Sequence, residues 1–366
     1  MRKRARTKST LPAHTSMAAA AAAVLASSLI LSGCGSDASS GASAGASKAP
    51  TTLTVVTHDS FSLPDALIKG FEKESGLTVK LVASGDAGQL TNKLVLTKDS
   101  PMGDVAFGVD NTFASRALEA GVFADGTRVD SAAGAKAYDL PGDDKGALTP
   151  VDNGNVCLNV DTTWFAKHSL TPPSTLDDLL KPAYKNLTVL PGAATSSPGM
   201  AFLLTTIAAE GDSWPTYWKK LIANGAELTQ GWSDAYEVDF TAGGGKGTKP
   251  IVLSYDSSPA FTVADGKTST QALLDTCFTQ VEYAGVLTGA KNPDGAKKFL
   301  DFLLTPAVQK ALPDAMYVFP VVADTPLPAD WAAFAPRPTK PWTVDPAQID
   351  SHRDEWLRTW TDVTSR

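Results

Sequence analysis

LTVVTHDSFSLPDALIKGFEKESGLTVKLVASGDAGQL (residues 53–90), followed by DVAFGV (residues 104–109), is the stretch that decides the fold. Leu53 to Thr57 is an apolar run of strand length. Ser62-Leu63-Pro64-Asp65 then predicts a helix that opens on a capping serine with proline in its first turn. Leu63, Leu67, Ile68 and Phe71 fall on one face of that helix, and Gly76 should end it. Leu77 to Ala83 reads as a second strand, Asp86 caps a helix bearing Leu90, Leu94 and Val95, and Asp104 to Val109 is a third strand. The order βαβαβ implies an α/β protein with a mostly parallel sheet and helices on both faces.

Working outward, a second α/β region begins near Val160. Helices are expected at Thr175 to Leu180, Pro198 to Ala209 and Ser213 to Asn224, with strands at Leu187 to Leu190, Glu227 to Thr229 and Ile251 to Tyr255. Thr279 to Ala284 reads as a strand leading back, followed by helices at Pro293 to Leu304 and Pro306 to Leu312. A last helix from Pro346 carries Ile349, Trp356, Trp360 and Val363 at helical spacing, which suits packing against the body. Loops at the carboxyl ends of parallel strands collect ligand-binding groups. Four loops qualify: His58 to Phe61, Ser84 to Gly88, Asp110 with Asn111, and Tyr255 to Pro259. Two α/β lobes whose loops face a shared cleft make a clam-shell.

The first residues describe an address. Arg2, Lys3, Arg4, Arg6 and Lys8 precede an alanine-rich apolar run from Met17 to Leu31, and Leu31-Ser32-Gly33-Cys34 resembles a bacterial lipobox. Residues 1–33 are expected to be removed and Cys34 to carry the lipid anchor. The run is too short and alanine-rich to hold a bilayer by itself; a stop-transfer helix is the alternative. Residues 34–50, nearly all Gly, Ser and Ala, cannot bury enough apolar surface to fold and read as a flexible spacer. The chain of 366 residues, less such a leader, suits two cores, and its net charge of −7 disfavours a nucleic-acid partner. Outside the cytoplasm, Cys157 and Cys277 are expected to be oxidised to one disulfide, with two buried free thiols as the alternative. The four histidines are scattered and no CxxC occurs, so neither a metal site nor a cofactor is expected.

Five segments, in order, resemble the thiamine-binding proteins of ABC importers: Thr57-His58-Asp59-Ser60-Phe61, Gly108-Val109-Asp110-Asn111, Ser196-Ser197-Pro198-Gly199, Gly231-Trp232-Ser233-Asp234-Ala235-Tyr236 and Leu253-Ser254-Tyr255-Asp256-Ser257-Ser258-Pro259. The resemblance runs from about Leu53 to the C-terminal helix. It implies a two-lobe type II periplasmic-binding-protein fold, with one lobe from 51–156 and 284–345, the other from 157–283 with hinge strands at its ends, and a C-terminal helix at 346–366. It further implies an extracytoplasmic receptor, usually monomeric, that delivers thiamine or a thiamine phosphate to ABC permease subunits. By motif, the pocket it implies includes Asp86, Ala87, Ser196, Ser197, Trp232, Tyr255, Asp256, Ser257 and Ser258.

The residue types fit that ligand. Thiamine has a flat aminopyrimidine, a fixed cationic thiazolium and a hydroxyethyl tail, so its pocket needs aromatic faces, anions and hydroxyl or amide groups. Trp232, Tyr236, Tyr255 and Tyr317 are the aromatic candidates, with ordinary core packing as the competing role. Ser196 and Ser197 precede Pro198 at a helix N-terminus, where they either cap the helix or receive a ligand oxygen. Asp59, Asp86, Asp110 and Asp256 are loop carboxylates able to face a cation, or simply to order their turns. No lysine or arginine adjoins these motifs, favouring thiamine or its monophosphate over the diphosphate. A polyamine receptor would need carboxylates at both ends of a long cleft, and a ferric receptor convergent tyrosinates, whereas Tyr236 and Tyr255 lie on separate segments. An exported enzyme is disfavoured, as is a cell-wall interaction protein: the consecutive His58-Asp59-Ser60 cannot form a triad by themselves and no Gly-x-Ser-x-Gly elbow is present.

Overall fold

The computed structural model describes residues 51–365; the leader, the spacer and Cys34 lie outside the described residues. The expected βαβαβ unit is present as β1 (Thr52–Thr57), α1 (Asp65–Ser75), β2 (Thr78–Ala83), α2 (Ala87–Leu96) and β3 (Val105–Asp110), with β1 parallel to both β2 and β3. Asp86 is the N-cap of α2, its Oδ1 accepting from the Ala87 amide at 2.6 Å. Ser62 does not cap α1. The cap position is Pro64, because proline drives the residue before it out of helical geometry and leaves Leu63 and Ser62 outside the helix. Gly76 ends α1 as expected, in a left-handed conformation (φ 71°).

After α3 (Ala114–Glu119) the chain enters β4 (Leu148–Asp161), which is buried along its whole length, then α4 (Thr162–Lys167). β5 (Thr188–Pro191), α5 (Ser197–Glu210), α6 (Trp214–Ala223), β6 (Glu227–Thr229) and β7 (Ile251–Tyr255) build the second region. The helix expected at Thr175 to Leu180 shrinks to a single 3-10 turn, Asp177–Leu180. There the Asp178 carboxylate takes the amides of Ser174 and Thr175, a local side-chain bond that competes with helix formation. A small hairpin, β8 (Val263–Ala264) with β9 (Lys267–Thr268), precedes β10 (Thr270–Ala272) and the long β11 (Phe278–Val286). α7 (Pro293–Leu303), α8 (Pro306–Met316), β12 (Phe319–Pro320), α9 (Ala329–Phe334) and α10 (Pro346–Thr364) complete the chain.

The main sheet runs β2-β1-β3-β11-β4-β7-β5-β6. Its two ends are parallel; its middle is antiparallel, because β4 and β11 pass between the ends and pair with each other over most of their length. This is the two-lobe α/β arrangement. Two large cores fill it: Leu53, Val55, Phe107 and Phe299 belong to one cluster at the first end, while a larger cluster runs from Val56, Leu90 and Phe113 to Phe202, Trp218 and Trp360 and so spans both ends. The Cys157–Cys277 disulfide ties β4 to the residue preceding β11 where the two strands enter the second region. α10 packs against both α3 and α6, touching both ends of the molecule. Among the described residues no helix is long and apolar enough to cross a membrane.

Candidate functional site

The strand ends converge on one cavity. His58 and Ser60 reach it from the loop after β1, Asp86 and Ala87 from the start of α2, and Ser197 and Pro198 from the start of α5. Trp232 comes from the loop after β6, Tyr255 from the end of β7, and Gln280 and Glu282 from β11. Met316 and Val318 close it from the end of α8.

Asp86 joins the two regions. While Oδ1 caps α2, Oδ2 accepts from the Trp232 amide at 2.8 Å. Burial pushes this carboxyl above the usual range, opposed by the Trp232 and Ala87 amides. The Gln89 amide donates to the Thr195 carbonyl at 3.1 Å, an approach that Gly88 permits, since a Cβ there would meet the Thr195 backbone at 2.7 Å. The hydroxyls of Ser60 and Ser233 meet at 3.3 Å across the same cleft.

The aromatic wall is built around Trp232. Its Nε1 donates to the Ser254 hydroxyl at 3.0 Å, Tyr236 stacks on it at a centroid distance of 5.0 Å, and Tyr317 meets it edge-on at 6.2 Å. Tyr317 adopts a left-handed backbone (φ 65°), and the Ser257 hydroxyl bonds its carbonyl. The Ser258 hydroxyl serves the Tyr255 amide at 3.1 Å and the Ser254 hydroxyl at 2.8 Å. Tyr255 donates its phenol to Gln280 Oε1 at 3.3 Å. Ser196 is the N-cap of α5 without a side-chain cap bond; its buried hydroxyl favours the charged form of Asp86 and that of Ser197 the charged form of Asp110, neither at close hydrogen-bond distance, and Ser197 faces the cavity.

The expected residues thus divide. Asp86, Ala87, Ser197, Trp232 and Tyr255 line the cavity; Ser196, Tyr236, Ser257, Ser258 and Tyr317 buttress it. Asp256 lies elsewhere. Its carboxylate accepts from the Asn155 side chain at 2.7 Å and backbone amide at 3.1 Å, with Arg337 at 4.0 Å, so it fastens β7 to β4. Asp59 is exposed and off the cavity wall, its amide bonded to the Gly85 carbonyl at 2.9 Å.

Residues 66–339 match the family model for bacterial extracellular solute-binding proteins. The thiamine-binding periplasmic protein of Salmonella typhimurium (strain LT2) is 32% identical over 326 residues, covering 87% of this chain and 95% of the relative. That of Brucella suis biovar 1 is 34% identical over 335 residues, covering 88% and 94%. The chain belongs to the bacterial extracellular solute-binding proteins. Among solved structures, a periplasmic thiamin binding protein superposes with a TM-score of 0.74 at 30% identity, covering 88% of this chain and 98% of that one. The relatives named here are binding proteins.

In this solute-binding protein two cavity residues stand out that sequence patterning does not single out. Glu282 sits on β11 with Gln280 two positions earlier, and His58 Nε2 lies 3.4 Å from Glu282 Oε1. Two polar side chains at alternate positions of an otherwise apolar strand were the available signal. Gly108 makes room for His58: its φ is +96°, and a Cβ there would fall 2.0 Å from His58 Cδ2. Burial, the largest single influence, works against the His58 imidazolium, but Glu282 together with Asp86 and Asp59 makes the net shift upward. Asp110 is buried, and burial raises its carboxyl to about 7, assisted by Glu282 and opposed by the Thr112 hydroxyl.

These shifts fix the sign of a stability profile. An acid whose folded pKa is raised binds more protons folded than unfolded, so stability falls as pH climbs from its unfolded value through about 7 for Asp110. A raised histidine contributes stability below its unfolded pKa that is lost as pH rises through the folded one, the same direction. The ligand-free protein is therefore expected to melt at a lower temperature at about pH 8 than at about pH 5.5. Calorimetric scans check this, and a rising profile would remove these groups as the controlling ones.

Proposed function

We propose that the protein is an extracytoplasmic receptor that captures thiamine or thiamine monophosphate and delivers it to the permease subunits of an ABC importer. The supporting observation is the composition of the cavity wall. The Trp232 and Tyr255 rings face the same space as the Asp86 and Glu282 carboxyls and the Ser60 and Ser197 hydroxyls, and among the described residues no lysine or arginine lines it. Flat rings suit the aminopyrimidine and, with the carboxyls, the thiazolium cation; hydroxyls suit the alcohol tail. The lack of a lining cation disfavours the diphosphate. The thiamine-binding names of the relatives agree with this reading.

In this reading the protein acts as a monomer without catalysis, metal or cofactor. Its lobes, 51–156 with 284–345 and 157–283, close on the ligand about β4 and β11, and the closed form engages the permease. Cys34, lipidated after removal of residues 1–33, holds it at the outer face of the membrane through the spacer 34–50. A ferric site is disfavoured because burial raises the phenols of both Tyr236 and Tyr255, away from the tyrosinate that iron requires. The carboxyl-rich wall would also accept another organic cation, so a polyamine receptor is the second reading.

Isothermal titration of the purified protein with thiamine, its mono- and diphosphate, spermidine and ferric citrate tests the assignment. One-to-one, sub-micromolar binding of thiamine and its monophosphate, with the diphosphate weaker, is expected. Heat from spermidine or ferric citrate but none from the thiamine series would overturn the ligand assignment while keeping the receptor.

A further inference from the structure

Glu282 has an acid on either side of it. On one side it pairs in register with Asp110 of β3, and on the other with Asp152 of β4. Residues directly opposite one another in a sheet project from the same face, so the three carboxyls form a row across the strands that link the lobes. All three are buried: Asp110 and Asp152 are 0% exposed and Glu282 7%. Neither oxygen of Asp152 meets a hydrogen-bond donor; Asp110 Oδ1 accepts from the Thr112 amide and hydroxyl and the Phe113 amide, while Oδ2 makes no direct hydrogen bond, though the Ser197 hydroxyl stands close enough to favour the charged form. Asp152 faces Glu282, and two carboxyls bond each other only by sharing a proton. The pairing register slips at this point, between Glu282 and Tyr283, so the row marks an irregularity in the crossing strands.

The surroundings supply too little positive charge to let every acid ionise. His58, from the loop after β1, stands beside Glu282. Asp86 adds another carboxyl from the N-terminus of α2, and the buried Tyr255 phenol closes in from the end of β7. Behind Asp110 lies Arg353 of α10, 3% exposed, over the Phe113 ring at 4.6 Å, with no hydrogen-bond partner for any guanidinium nitrogen. Four carboxyls therefore share a low-dielectric space with one imidazole and one guanidinium, and like charges at such spacing retain protons.

We propose that the row Asp152–Glu282–Asp110 is a proton store emptied by ligand capture: a cationic ligand seated against Glu282 replaces a shared proton, which leaves to the solvent. This rests on the reading that the ligand is thiamine-like and positively charged. The ligand's fixed charge does the work the proton did, so filling the cavity drives off a proton that the empty row retains. By reciprocity, affinity rises with pH, by up to about tenfold per pH unit for one proton released.

Thiamine is titrated calorimetrically into the purified protein at about pH 7 in phosphate and in Tris, whose ionisation heats differ widely. The wild type should release between about half a proton and one proton per thiamine, and its affinity should rise from about pH 6 to about pH 8. Asp152→Asn removes the partner with which Glu282 shares its proton, so proton release and pH dependence should both fall by at least about half. Any proton carried by the ligand is common to both proteins, so their difference isolates the row. Equal heats in the two buffers with thiamine bound by the wild type would overturn the proposal, whether or not the variant folds. No thiamine binding at all would instead sink the ligand assignment, and the proposal with it.

Discussion

Trp232→Ala should weaken thiamine binding by about two orders of magnitude. Trp232 is the centre of the aromatic wall, with Tyr236 stacked on one face, the Tyr317 edge against it and its Nε1 bonded to Ser254. A desolvated cation–π contact is worth about 2 kcal/mol and ring stacking roughly 1 more, which together make the expected loss. The side chain packs in a small cluster with Val189, Ala235, Tyr236, Phe240 and Val252, separate from the two large cores, so truncation should cost local stability and leave the fold standing. Trp232→Phe keeps a ring without the Ser254 bond and should recover most of the affinity. Titration of both variants, with circular dichroism as the check on folding, decides the matter: an alanine variant that binds like wild type would remove Trp232 from the ligand's surroundings.

The second large effect belongs to the disulfide. Cys157 and Cys277 are 120 residues apart, and the loop they close contains nearly all of the second lobe. Chain-entropy arguments give about 5 kcal/mol for closing a loop of that length in the unfolded state. Both sulfurs sit in a buried cluster with Ala272, so reduction also places two thiols in an apolar site built for the bridge. Replacing both cysteines by alanine should lower the melting temperature by about 10 °C. Thiamine affinity at low temperature should change little, since neither residue reaches the cavity. An unchanged melting temperature, with mass mapping showing the wild-type bridge intact, would show that β4 and β11 hold their places without it.

How far the sequence could be read depended on what each strand was for. β1, β3 and β7 are apolar runs of ordinary length and are legible as such. β4 is legible only from Asn155 onward, because Pro150, Asp152, Asn153 and Gly154 before it are residue types that favour turns. They lie in a buried strand because long-range partners use their polar groups: Asn153 donates to the Phe319 and Pro320 carbonyls, and Asn155 to Asp256. Side-chain partners of this kind also decide where the expected site residues sit. Asp256 and Asp86 are both loop carboxylates; what separates them is that Asn155 occupies one while the other spans the cleft to Trp232. Glu282 escaped because its alternation with Gln280 marks only a polar strand face, and it takes the arrival of His58, Asp86 and Tyr255 from other loops to make that face a cavity wall.

The place of β11 in the sheet also imposes a schedule on synthesis. β1, β2 and β3 are complete early in the chain, yet the outer edge of β3 is covered only when Phe278–Val286 has been made. Until then it is an unpaired edge, open to mispairing with other extended segments. α10 comes later still, and it is the element that touches both α3 and α6. The connectivity that lets two lobes share a pair of crossing strands thus postpones the finished fold until almost the whole polypeptide has emerged, making this a protein whose nascent form needs protection for longer than its size alone would suggest.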